Sequence, residues 1–158
     1  MFLGSGPTHS WGLDNASKAL FSEEIQRLVD RAPKYVWGGS ESEEKGLDCS
    51  GFLHLAAIRA KNRGAKLYVS RTTARNMALG RCGWDAVDVE LRDSEDLDIW
   101  WWTFPSKPDR INGHVGIAHG HKDGWPAVVH ASQSRGRVVS DPIKGWVLND
   151  LTALRRLE

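Results

Sequence analysis

The sequence predicts an α+β domain in which N-terminal helices pack on an antiparallel sheet. Three observations predict it. Helical periodicity is confined to the first half of the 158-residue chain, and the second half holds short β-branched and aromatic runs separated by turn residues. Between them, at Asp48-Cys49-Ser50-Gly51, the pattern changes into a helical one. The length suits one core, since domains cluster near about 100–150 residues. That domain is expected over 21–158, with 1–20 an irregular arm rich in Gly, Ser, Thr and Asn.

Lys and Arg number 21 against 20 Asp and Glu, so no strong field favours nucleic acid or an anionic membrane. Apolar runs are only a few residues long, which excludes a membrane span, and Met1-Phe2-Leu3-Gly4-Ser5-Gly6-Pro7 lacks the basic and hydrophobic segments of a secretory signal. The two cysteines, Cys49 and Cys82, stand in different contexts. A chain this long needs no staple, so one special cysteine among several histidines reads as a thiol nucleophile rather than half of a disulfide.

Ser22 can cap a first helix, with Glu23 and Glu24 suiting its first turn. Ile25, Leu28, Val29 and Ala32 form its apolar stripe, which ends before Pro33. Tyr35-Val36-Trp37 is a short extended piece stopped by Gly38-Gly39, and 40–45 is a charged, exposed loop. Phe52, Leu55, Ala56 and Ala60 share one side of a second helix that runs to about Arg63 before Gly64, which places Cys49 at its N-terminus. A further helix fits 72–79, before Gly80. Strands are expected at 87–91, 98–104, 114–119 and 127–131, with a last one at 146–148 or 153–156.

A thiol attacks a carbonyl as thiolate, and a free cysteine near pKa 8.5 is mostly protonated at neutral pH. A helix N-terminus and an imidazolium partner both favour the anion, and free N–H groups there can also hold the oxyanion of a tetrahedral intermediate. Cys49 has the helix start by position. Among six histidines, His114 and His130 fall on two strands flanking the turn-like 120–124 stretch, whereas His9 lies in the arm. If that stretch is a long loop, His114 pairs directly with His130 on one face, as base and orienting group. If Asp123-Gly124 makes a tight turn, His130 pairs with Ile117 and the two histidines face opposite sides. His54, about 140° around the helix from Cys49, is read as structural or solvated. His119, His121 and Asp123 could bind a metal but read as a solvated turn, Cys82 as packed, and no cofactor or metal is expected. Trp100, Trp101 and Trp102 cannot all face one way, so one face is core and the other cleft or solvent.

Tyr35-Val36-Trp37-Gly38-Gly39, Leu47-Asp48-Cys49-Ser50-Gly51-Phe52, Gly113-His114-Val115-Gly116-Ile117 and Val129-His130-Ala131-Ser132 resemble, in order and spacing, the NlpC-type cysteine peptidases, a papain-like group that cuts peptidoglycan stem peptides. Ser70-Arg71-Thr72-Thr73 also looks like that family's segment between helices. The resemblance runs from about Ser22 to Trp146. It implies a papain-like fold with Cys49 as nucleophile, His114 as base and His130 as third member. It further implies Tyr35 beside the sulfur, and Asp48 and Ser50 as substrate contacts, Asp48 pairing with a free amine of the stem. The activity implied is hydrolysis after D-glutamate through a thioester, at the bacterial cell wall; since the chain shows no signal, either export runs by another route or the sequence is trimmed, and any immunity or delivery partner is left open. Rival readings are an amidase or acyl transferase with the same triad, and a non-catalytic wall-binding or phage tail module.

Overall fold

The computed structural model describes residues 12–104, 107 and 112–158, so His9 and most of the expected arm lie outside the described residues. Helix α1 (Asn15–Arg31) starts at Asp14, whose carboxylate accepts the Ser17 N–H at 2.7 Å. The expected start at Ser22 is therefore corrected: Asp14 supplies an earlier cap, and Glu23 and Glu24 fall inside the helix. Glu24 is only 1% exposed and is held by Arg27 and Arg63, each at 2.7 Å, in an inter-helix ion cluster. Phe21, Ile25 and Leu28 form the buried stripe, and the helix ends at Ala32, as the sequence predicts.

Helix α2 (Cys49–Asn62) buries Phe52, Leu53, Leu55, Ala56, Ala57 and Ala60. Helix α3 (Ala74–Ala78) is short and capped by Thr73, whose hydroxyl accepts the Asn76 N–H at 3.1 Å. The strands are β1 (Ala86–Asp88), β2 (Ile99–Trp102), β3 (His114–Lys122), β4 (Trp125–Ser132), β5 (Arg137–Pro142) and β6 (Leu151–Leu157). They form one antiparallel sheet in the order β1-β6-β2-β3-β4-β5. α1, α2 and one sheet face enclose the main core, with Leu47, Ile99, Val115, Ile117 and Val129 among its buried members. A smaller cluster on the other face gathers Trp100, Trp102, Ala118, Val128, Val147 and Leu154.

One strand was not expected, and one of the two alternatives for the last strand fails. Strand β5 was not anticipated, because Val138 and Val139 are both buried and break the simple alternation before Pro142 ends the run. The expected strand at 146–148 is instead one helical turn, α4 (Trp146–Asn149), entered through Gly145 at φ 59°. The alternative site for the last strand is where β6 forms, and it inserts between β1 and β2.

The β3–β4 hairpin governs whether the two strand histidines can meet. Its turn is the tight one: Lys122 pairs with Trp125, and Asp123 and Gly124 take φ of 52° and 81°, the paired left-handed state of a type I′ turn. Regular register from such a turn would send His114 and His130 to opposite faces. An extra β3 residue between Ala118 and His121, where Gly120 has φ 65°, shifts the ladder by one. Ile117 then pairs with Val129, so His130 falls opposite Gly116 and shares a face with His114. The expected direct pairing through a long loop is corrected to a diagonal pairing through a tight turn and a bulge.

Candidate active site

The site begins with the cap of α2. Asp48 is extended (φ −91°, ψ −178°), and its Oδ1 accepts the Gly51 N–H at 2.7 Å. The 35–39 segment is clamped against this helix start. Tyr35 bridges Leu47, the Val36 N–H donates to Leu47 O at 3.1 Å, and the Asp48 N–H donates to Gly39 O at 3.0 Å. The approach at Gly51 is close enough that a Cβ there would sit 1.9 Å from the Gly39 carbonyl oxygen. Glycine at position 51 is thus required by backbone contact at the start of the helix that carries Cys49.

Cys49 is half-buried at the floor of a cleft of about 320 Å³ lined also by Tyr35, Trp37, Asp48, Ser50 and Arg71. Its thiol meets the backbone N–H of Val115, the residue after His114. The sequence predicts a lowered thiol pKa, and the structure corrects it: burial pushes the thiol up to about 11. The Val115 N–H opposes that, the Asp48 carboxylate adds to it, and the N–H groups of Ser50 and Cys49 oppose it more weakly. Removal from water outweighs the helix start and favours the neutral thiol.

His114 opens β3 and His130 lies in β4, 8% and 3% exposed. His114 Nε2 is 2.7 Å from His130 Nδ1, and His130 Nε2 is 2.6 Å from Asp141 Oδ2. Arg135 donates to the same carboxylate oxygen. Burial would raise the Asp141 pKa, but the bonds from His130 and Arg135 and their charges hold it below its ordinary value. The Trp102 ring is stacked on His114 at 5.6 Å between centroids and 27° between planes, with Trp146 packed against Trp102 at 5.2 Å. The structure therefore brings His114 and His130 together across β3 and β4, and sets Cys49 against β3 at Val115.

Asp48 and Ser50 flank Cys49 as expected, but both are already engaged. Arg71 donates to Asp48 Oδ2 at 2.9 Å, to Oδ1 at 3.2 Å and to Ser50 Oγ at 2.9 Å, and the Gly38 N–H donates to Asp48 Oδ2 at 3.0 Å. A free amine reaching Asp48 would meet it beside a guanidinium. Trp100 and Trp102 are fully buried, and Trp101 packs on the main core and donates to Asn112 O at 3.0 Å. The aromatic on the cleft rim is instead Trp37, 80% exposed. His54 bonds Val69 O at 2.7 Å, and His119 lies between Ser22 at 3.2 Å and Gln26 at 2.8 Å. Cys82 is buried, and both cysteines are free thiols.

With this geometry in hand, solved structures provide a comparison. A protein of the NLP/P60 family from Staphylococcus aureus superposes with a TM-score of 0.66 at 15% identity, covering 95% of this chain. The fold is that of the NlpC/P60 proteins. This chain spans 44% of the staphylococcal protein's length. The peptidoglycan hydrolase RipB from Mycobacterium tuberculosis matches over 100% of this chain and 74% of its own, at 18% identity and TM-score 0.62. RipD from the same organism, described as a non-catalytic NlpC/p60 domain protein adapted to peptidoglycan binding, matches over 86% and 95%, at 14% identity and TM-score 0.55. No family profile and no curated protein matches the sequence. The NlpC/P60 fold accounts for the helix start set on the sheet and the histidine-bearing ribbon beside it.

Arg71, Arg135, Asp141 and Trp37 are the site residues that sequence reasoning missed as such. Arg71 and Trp37 stood inside quoted motifs without a role. Asp141 could be found only by recognising β5, where Val139 pairs with His130 and Asp141 with Val128, which places the carboxylate on His130's face.

Proposed function

We propose that the chain is a cysteine peptidase that hydrolyses an amide bond in peptidoglycan stem peptides, most specifically the bond after D-glutamate, acting at the bacterial cell wall. The observation that carries this reading is that His114, hydrogen-bonded to His130 of the neighbouring strand, directly precedes Val115, whose N–H meets the thiol of Cys49, itself a lining residue of the cleft. Cys49 Sγ attacks the scissile carbonyl while His114 takes the thiol proton through Nδ1, the ring nitrogen not engaged with His130. N–H groups at the α2 start, that of Cys49 included, hold the oxyanion. Collapse of the tetrahedral adduct breaks the C–N bond, His114 returns the proton to the leaving amine, and water then hydrolyses the thioester to the acid. Because the resting thiol is neutral, proton removal accompanies attack instead of preceding it. Tyr35 lines the cleft at the sulfur, and Asp48, Ser50 and Arg71 form its polar end.

Digestion of purified muropeptides tests the proposal. The chain should release a stem fragment ending in D-glutamate, and a Cys49→Ala protein that still cleaves would overturn the mechanism. An amidase or acyl transferase using the same residues would give different products in that assay. A second reading, a non-catalytic wall-binding module, is favoured by one observation, the thiol raised to about 11. Pelleting with insoluble peptidoglycan by a protein that cleaves nothing would support it.

A further inference from the structure

We infer that Asp141, clamped by Arg135, is a positioning residue that sets the tautomers of both imidazoles, so that His114 offers Nδ1 as proton acceptor. The inference rests on the proposed role of His114 as base, but its argument is one of donors and acceptors alone. Asp141 Oδ2 lies 2.6 Å from His130 Nε2 and also accepts from Arg135. An ionised carboxylate can only accept, so His130 carries its proton on Nε2 and, as a neutral ring, has its lone pair on Nδ1. His114 Nε2 lies 2.7 Å from that lone pair and must be the donor. The neutral His114 ring therefore keeps its own lone pair on Nδ1.

The opposite polarity fails at its first step. A proton on His130 Nδ1 would leave the Nε2 lone pair facing a carboxylate oxygen at 2.6 Å with no hydrogen between them. Arg135 enforces the choice, because a guanidinium stays charged and only donates, which keeps Asp141 an acceptor. Little of the pair is open to solvent: His130 is 3% and Asp141 9% exposed, with Trp102 and Trp146 packed 6.1 and 5.5 Å from the His130 ring, although His114, His130, Arg135 and Asp141 border a cavity of about 550 Å³. An acceptor-only group at the end of the chain thus determines which His114 nitrogen acts two rings away, the orienting role a buried aspartate plays behind a single histidine in serine peptidases.

Long-range ¹H–¹⁵N correlation spectra of histidine-labelled full chain read the tautomers directly. The expected result is a proton on Nε2 of both His114 and His130 when the rings are neutral. In Asp141→Ala that state gives way to a mixture containing the Nδ1–H forms. Asp141→Asn, whose amide oxygen can still accept from both neighbours, retains it. On muropeptides Asp141→Ala should lower kcat by about 10²-fold with KM unchanged; mere loss of folded protein would also lower apparent kcat, but it would leave the tautomers of the folded fraction unaltered. A proton on Nδ1 of His130 in the wild type overturns the inference, as does a folded Asp141→Ala with both tautomers unaltered. The wild-type spectrum carries the test alone if the alanine variant does not fold. Expected tautomers in a chain that cleaves no muropeptide would uphold the positioning role while refuting the proposed hydrolysis.

Discussion

Gly51→Ala probes the foundation of the site, the seating of the α2 start on the 35–39 segment. The added methyl would lie 1.9 Å from Gly39 O and 2.8 Å from Asp48 Oδ1, where real Cβ atoms essentially never come within 3.0 Å. Backbone stands on both sides of the closer contact, so one segment must retreat by about 1 Å, and no side-chain rotation relieves it. Overpacking of this kind costs about 1–3 kcal/mol. The retreat also stretches the 2.7 Å Asp48–Gly51 cap, worth about 1 kcal/mol. Together these predict a loss of about 2–4 kcal/mol, or roughly 5–15 °C in Tm for a domain of this size. Cys49 moves with the turn, and a misplacement of about 1 Å costs about 10²-fold in rate. Thermal unfolding followed by circular dichroism, with muropeptide turnover on the folded fraction, measures both. A Gly51→Ala protein melting within 2 °C of wild type, as flagged by the per-kcal scale, would refute the steric argument.

Further outcomes follow from the electrostatics. Alkylation of Cys49 by iodoacetamide should rise about tenfold per pH unit from neutrality toward the thiol's value near 11, and a plateau already reached at neutral pH would contradict the buried neutral thiol. The same raised value makes a stability prediction. The unfolded thiol ionises near its ordinary value of 9.0 and the folded one near 11, so the contribution is complete below 9.0 and is lost as pH rises through 11; Cys49→Ala should flatten this alkaline fall in Tm. Asp141 has the opposite sign. Its lowered value gives stability that is present above the ordinary carboxylate range and lost as pH falls through the lowered one, so Asp141→Asn should flatten the acid limb. Arg71→Ala removes the charged partner of the buried Asp48 carboxylate and should cost about 1–2 kcal/mol in urea unfolding, the pair being partly solvent-screened. It should also slow Cys49 alkylation further, since the Asp48 charge then acts on the thiol unopposed.

Much of this arrangement was legible from residues. The α2 start at Cys49, its stop before Gly64 and the β3 and β4 strands follow from periodicity and turn chemistry, which are local. What escaped depended on partners distant in the chain. The start of α1 was misplaced because Glu23 and Glu24 look like a first turn, and their real partner, Arg63, lies on another helix. The hairpin register turned on one bulge residue, Gly120, that no alternation pattern announces. The thiol's direction differs from the expectation because the helix start is readable from sequence, whereas burial and the nearness of the Asp48 carboxylate depend on the fold. Asp141 was missed with its strand, although its hydrogen-bond partner His130 was singled out.

The central claim is that Cys49 and His114 act as one chemical unit. Muropeptide turnover by Cys49→Ala, His114→Ala and the double variant measures it most directly. Loss of a general base costs about 10²–10⁴-fold, and residues that work together are not additive. His114→Ala should fall within that range at unchanged Tm, and the double variant should be no slower than Cys49→Ala alone. Turnover of His114→Ala within tenfold of wild type, or losses that multiply in the double variant, would contradict the claim.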